Sequence, residues 1–118
     1  MKNLITTIPK SRFNSWAECE AELVASDGEN GSFWTVAATC LPSAPSDDSA
    51  YPIGALMFIV FDGAVRGYLH CIDVDLAKRW PFHDGGKAQY CFVLANWRPI
   101  ASVPLTGFQG WRYTALQP

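Results

Sequence analysis

Beyond Asp84 this chain of 118 residues carries no carboxylate side chain: all eleven Asp and Glu lie at or before it, and only Lys87, Arg98 and Arg112 are charged after it. Charge is scarce overall, at 17% of residues against 49% hydrophobic, which excludes disorder beyond a single loop. The formal net charge of −2 argues against a protein that holds duplex nucleic acid mainly by neutralising many phosphates, yet leaves room for a locally basic face near the end. Cys19, Cys40, Cys71 and Cys91 form no C-x-x-C pair, so a zinc ribbon and a thioredoxin-type motif are excluded and reduced thiols are expected. His70, Cys71, His83 and Cys91 lack the local spacing of zinc sites, and on a strand His70 and Cys71 point to opposite faces; no metal is expected. The most apolar run, residues 53–61, is too short to span a bilayer and ends in Asp62, so no membrane partner is expected. The first apolar residues are too few for a secretory signal, and the expected location is cytoplasmic. Gly-x-Ser-x-Gly, P-loop and dinucleotide fingerprints are absent, and no cofactor is expected.

What is present reads as one domain over residues 1–118. Residues 4–8 form a short strand that Pro9 stops. Ser15 and Glu18 make a capping box, with Trp16, Cys19 and Leu23 on one face of the helix that follows and Gly28 at its end. Residues 33–41 resume as a strand. Residues 42–52 hold three prolines, three serines and the adjacent Asp47 and Asp48, which reads as a surface loop too mobile to make that pair catalytic. Asp62-Gly63 between two apolar arms, residues 55–61 and 64–73, is the strongest hairpin signal, and arms apolar on nearly every residue predict central strands. Asp75 is expected to cap a short helix reaching Trp80. After a turn at 83–86, residues 90–97 make a strand that Arg98-Pro99 interrupts before 100–103 continue. About six short strands with one or two helices indicate an α+β fold, a small curved mixed barrel.

The richest chemistry sits in residues 107–113, where Phe108, Gln109, Trp111, Arg112 and Tyr113 stand around Gly107 and Gly110. Aromatic faces stack on heterocycles while Gln and Arg pair with their edges, as in proteins that read an unstacked base. The competing reading is that such aromatics close the core of a small β protein. Trp34 faces a cleft if Phe33 faces the core, and the reverse is equally open. Trp97 at a strand end is either a pocket wall or a plug over the barrel. Arg66 in an apolar strand needs a carboxylate, a carbonyl or a ligand, or an edge position with its head in water. Gly67 marks a bulge or a close backbone approach. The candidate binding residues are therefore Trp34, Arg66, Trp97, Arg98, Phe108, Gln109, Trp111 and Arg112.

The opening at residues 6–13, the capped helix, Ser32-Phe33-Trp34, the Pro-rich loop, residues 53–58, residues 63–68, Arg98-Pro99-Ile100 and residues 107–113 follow one another in an order that resembles the PUA-like superfamily, nearest its ASCH and EVE branches. The resemblance implies a pseudo-barrel with a cleft between its strands and an adjacent helix, used by relatives to bind RNA or to receive a modified base from DNA. It also brings a second expectation, since some ASCH proteins are small amidohydrolases on acylated nucleosides that depend on Lys, Thr and Glu. Lys10, Thr35 and Glu22 are the residues of those types here, but their spacing assigns no catalytic set. An interaction module for protein or metabolite that kept the barrel without nucleic-acid binding is the third reading, and the acidic balance suits it.

Overall fold

The structure, a computed structural model, describes residues 2–43 and 50–118; the predicted loop around Asp47 and Asp48 lies outside the described residues. Six strands form one mixed sheet: β1 (Asn3–Thr7), β2 (Trp34–Ala38), β3 (Leu56–Phe61), β4 (Ala64–Leu76), β5 (Tyr90–Pro104) and β6 (Trp111–Thr114). They lie in the order β2-β5-β4-β3-β1-β6, with β1 parallel to β3 and the other neighbours antiparallel. One α-helix, α1 (Trp16–Ala25), packs against it.

Local chemistry accounts for the helix start and the hairpin. The Ser15 hydroxyl accepts from the Glu18 N–H at 3.2 Å, and the Glu18 carboxylate reaches back to accept from the Asn14 N–H at 3.2 Å. Two otherwise unpaired donors are thereby satisfied. Cys19 and Leu23 are buried against the sheet. Asp62 (φ 50°) and Gly63 (φ 75°) form the two-residue turn between β3 and β4, both at positive φ as a tight hairpin requires. β3 and β4 occupy the middle of the sheet.

Two expectations give way. Pro99 does not interrupt the strand: β5 runs from Tyr90 through Pro104, and register shifts against β4 let Pro99 sit opposite Gly67 without donating to the ladder. Asp75 does not cap a helix. It lies in β4, and its carboxylate accepts from the Leu76 N–H, the Trp80 indole and Arg79, after which only the 3-10 turn Ala77–Arg79 follows. Those bonds to the charged form hold its carboxyl below the usual value, the Leu76 N–H contributing most.

Side-chain alternation divides the sheet into two apolar faces. The inner one gathers Leu4, Met57, Ile59, Phe61, Leu69, Phe92, Leu94 and Trp97 beneath α1. The outer one holds Ile5, Phe58, Val60 and Val65, with Phe108 and Leu116 packed on them. The sheet is curled around the inner face. Trp111 of β6 meets Phe92 of β5 edge to face at 6.1 Å, although β4, β3 and β1 lie between them in strand order. The Trp111 indole also donates to the Cys40 carbonyl at 3.0 Å, and the Tyr113 hydroxyl accepts from the Ser43 N–H at 2.9 Å. Side chains of β6 thus reach the segment leaving β2, the opposite edge strand, and draw the six strands into a half-barrel.

Candidate functional site

The eight residues singled out in the sequence do not converge on one cavity. Trp34, Trp97 and Trp111 belong to the inner cluster. Trp97 is 7% exposed, its indole donates to Glu20 at 3.2 Å, and it stands edge to face with Trp16 at 5.9 Å. Arg66 finds the carbonyl its apolar setting demands, donating to Phe61 at 3.1 Å, while its guanidinium lies over the Trp16 ring at 5.2 Å. Arg98 follows Trp97 and points to the other side, across from Tyr68. Phe108 and Arg112 are also on the outer face, the guanidinium 4.1 Å from the Phe108 ring centre. Gln109 is exposed in the loop before β6.

Residues 107–113 are fastened to β1. The Phe108 N–H donates to the Thr7 hydroxyl at 3.1 Å, the Thr6 hydroxyl donates to the Gly110 carbonyl at 2.9 Å, and β6 pairs with β1 along its length.

Two cavities lie on either side of the segment between β1 and α1. Pro9 ends β1, and a 3-10 turn at Lys10–Arg12 carries the chain to Phe13, whose ring lines two cavities. The first, about 350 Å³, is bounded by Arg12, Phe13, Glu22, Phe33, Trp34, Thr35, Phe82 and His83. The second, about 460 Å³, lies among Lys10, Phe13, Asn14, Trp16, Phe61 and Asp62. Both fall within the size range of small-molecule sites, about 300–1,000 Å³.

The first cavity combines flat apolar walls with convergent polar groups. Arg12 lies over the Trp34 ring at 5.6 Å, and Phe82 is 93% exposed at its rim. The Thr35 hydroxyl and His83 Nε2 are 2.8 Å apart, so one donates and the other accepts according to the tautomer. Burial, and to a lesser degree the Arg12 guanidinium, hold His83 below the ordinary imidazole value, which keeps it neutral at pH 7. Glu22 of α1 lines the same space.

Of the eight sequence candidates only Trp34 reaches this cavity, and Arg12, Phe33, Phe82 and His83 were not among them. Thr35 and Glu22, two of the three residue types that the ASCH resemblance asks for, share its wall, whereas Lys10 lines the second cavity and pairs with Asp62 at 3.5 Å. Among the described residues no cluster of three or more metal-ligating side chains occurs. No family model matches the chain, and no curated protein matches it.

Proposed function

We propose that the cleft beside Trp34 binds a nucleobase of RNA or of modified DNA, in keeping with the PUA-like resemblance of the sequence. One observation carries the reading: a single cavity of about 350 Å³ has aromatic walls from Phe13, Phe33, Trp34 and Phe82 and edge-pairing groups from Arg12, Glu22, Thr35 and His83. A base needs both. Its faces gain from stacking, about 1–3 kcal/mol for each aromatic contact, and its rim offers donors and acceptors. Arg12 and a neutral His83 present donors, Glu22 is an acceptor, and the Thr35 hydroxyl serves as either.

Tryptophan fluorescence during titration with nucleoside monophosphates and short single-stranded RNA and DNA tests the proposal. Binding should change the Trp34 signal, and Phe82→Ala, which alters a ring at the rim, should weaken it by about 1–3 kcal/mol. Absence of binding to nucleotides, nucleosides and both kinds of oligonucleotide, with a folded protein, would overturn it.

The Thr35 and His83 contact favours a second reading, a hydrolase of acylated nucleosides. With the proton of neutral His83 on Nδ1, Nε2 accepts from the hydroxyl, which is the arrangement of a nucleophile and its base. Thr35 Oγ1 would form the new bond to the acyl carbon, His83 would pass the proton to the departing amine, and water would then release the acid. Thr35→Val should abolish acid release and Thr35→Ser should retain it; equal rates in both would exclude the reading.

A further inference from the structure

The two cavities share Phe13, and the rings beneath them form an unbroken series. Centroid separations are 6.3 Å from Trp34 to Phe13, 6.5 Å from Phe13 to Phe61 and 5.5 Å from Phe61 to Trp16. Cations accompany the series from end to end: Arg12 over Trp34, Lys10 on the wall of the second cavity and Arg66 over Trp16. Among the described residues neither guanidinium takes part in an ion pair. Lys10 does, with Asp62, but at 3.5 Å and with side chains 74% and 54% exposed that contact is worth little and yields readily to a competing anion. A single nucleotide in the first cavity leaves the second cavity, the half-buried Trp16 ring and two of the three cations unused, while Phe61 is core that joins the rings.

We propose that the groove accommodates at least two consecutive nucleotides of a single strand, one in the cavity beside Trp34 and the next in the cavity beside Trp16, with Phe13 between them. The inference rests on the base-binding reading above. Successive aromatic faces with a line of cations beside them suit a strand whose bases are unstacked and whose phosphates remain charged. A duplex presents neither free base faces nor the right shape to a groove of this kind. The Lys10 ammonium exchanges Asp62 for the phosphate that joins the two units, and Arg12 and Arg66 stand at the two ends.

The decisive experiment compares a nucleoside 5′-monophosphate, its dinucleotide and its tetranucleotide at fixed low salt by calorimetry. The dinucleotide should bind about tenfold or more tightly than the mononucleotide, within the range that one further stacked base supplies, and the tetranucleotide only slightly more tightly again. Lys10→Gln and Asn14→Trp, both at exposed positions, should bring the dinucleotide to within threefold of the mononucleotide, with thermal melts confirming that each variant is folded. Equal wild-type affinity for one unit and two would overturn the two-unit groove while leaving base binding intact. Absence of binding to all three ligands would overturn both. An acidic peptide of equal charge that binds as tightly as the dinucleotide would show that charge alone fills the groove, and would also overturn the inference.

Discussion

Gly67 lies directly under the Trp97 ring: a Cβ at Gly67 would stand 2.6 Å from Trp97 Cη2 and would collide with the Arg98 carbonyl oxygen. The close approach explains both the glycine in β4 and the burial of the indole, because the strands meet across a register shift that leaves no room for a side chain. Gly67→Ala should therefore destabilise the protein by about 1–3 kcal/mol or more, since one of the two obstacles is backbone and cannot rotate away. Trp97→Ala should cost about 3–5 kcal/mol through loss of a buried ring. Denaturant unfolding measures both, and a Gly67→Ala protein as stable as wild type would refute the packing described.

The hairpin turn offers a local test. Gly63 has open space around the position of a Cβ, so Gly63→Ala meets no clash and pays only for φ 75°. A cost of about 1–2 kcal/mol is expected from the left-handed conformation alone. A larger loss in denaturant unfolding would indicate that the turn contributes contacts beyond its backbone shape.

The cysteines link the core to alkaline stability. All four are free; Cys40 is exposed, while Cys19, Cys71 and Cys91 are buried. Burial raises the Cys19 thiol to about 11 and the Cys71 thiol to about 12, and raises Cys91 as well. Burial likewise carries the Tyr51 hydroxyl to about 12. Each group keeps its proton longer in the folded protein than in the unfolded chain, so stability is complete below pH 9 and declines as pH rises from there to about 12. Unfolding midpoints should hold level from pH 8 to 9 and fall from pH 9 to 11. A thiol reagent at pH 8 should modify Cys40 quickly and the other three only on unfolding; rapid modification of all four would contradict the burial.

The features readable from sequence were those set by neighbouring residues. Ser15 and Glu18 marked the helix start because capping acts within one turn, and Asp62-Gly63 marked the hairpin because two positive φ angles demand such residues. Features set by distant residues were not readable. Trp111 and Tyr113 close the half-barrel through Cys40 and Ser43, contacts that no local spacing encodes. Pro99 passes inside β5 because β4 shifts register opposite it, and Asp75 shows a capping residue's composition but is claimed by the β4 ladder. The first cleft draws its wall from residues 12–13, 22 and 26, 33–35 and 82–83, four stretches of chain that only the fold unites. His83 carried one legible sign, a lone imidazole beside a glycine-rich turn, but nothing in the sequence pointed it at Thr35.

The protonation of His83 gives the most direct test of the first cleft. Its imidazole is held below 6.5, first by burial and second by the Arg12 guanidinium; Thr35 bonds to it and Glu22 is the carboxylate on the same cavity wall. With a folded value below the unfolded one, the unfolded chain takes up the proton first as pH falls. The contribution of His83 to stability is therefore present above pH 6.5 and is lost as pH drops through its folded value. Proton NMR of the ring should show a midpoint below 6.5. Arg12→Gln should move it only part of the way back, because burial is the larger cause, whereas Phe82→Ala should move it further if that ring helps to exclude water. A His83 midpoint at or above 6.5 in the wild-type protein would contradict the burial of the ring and its closeness to the Arg12 guanidinium in the first cleft.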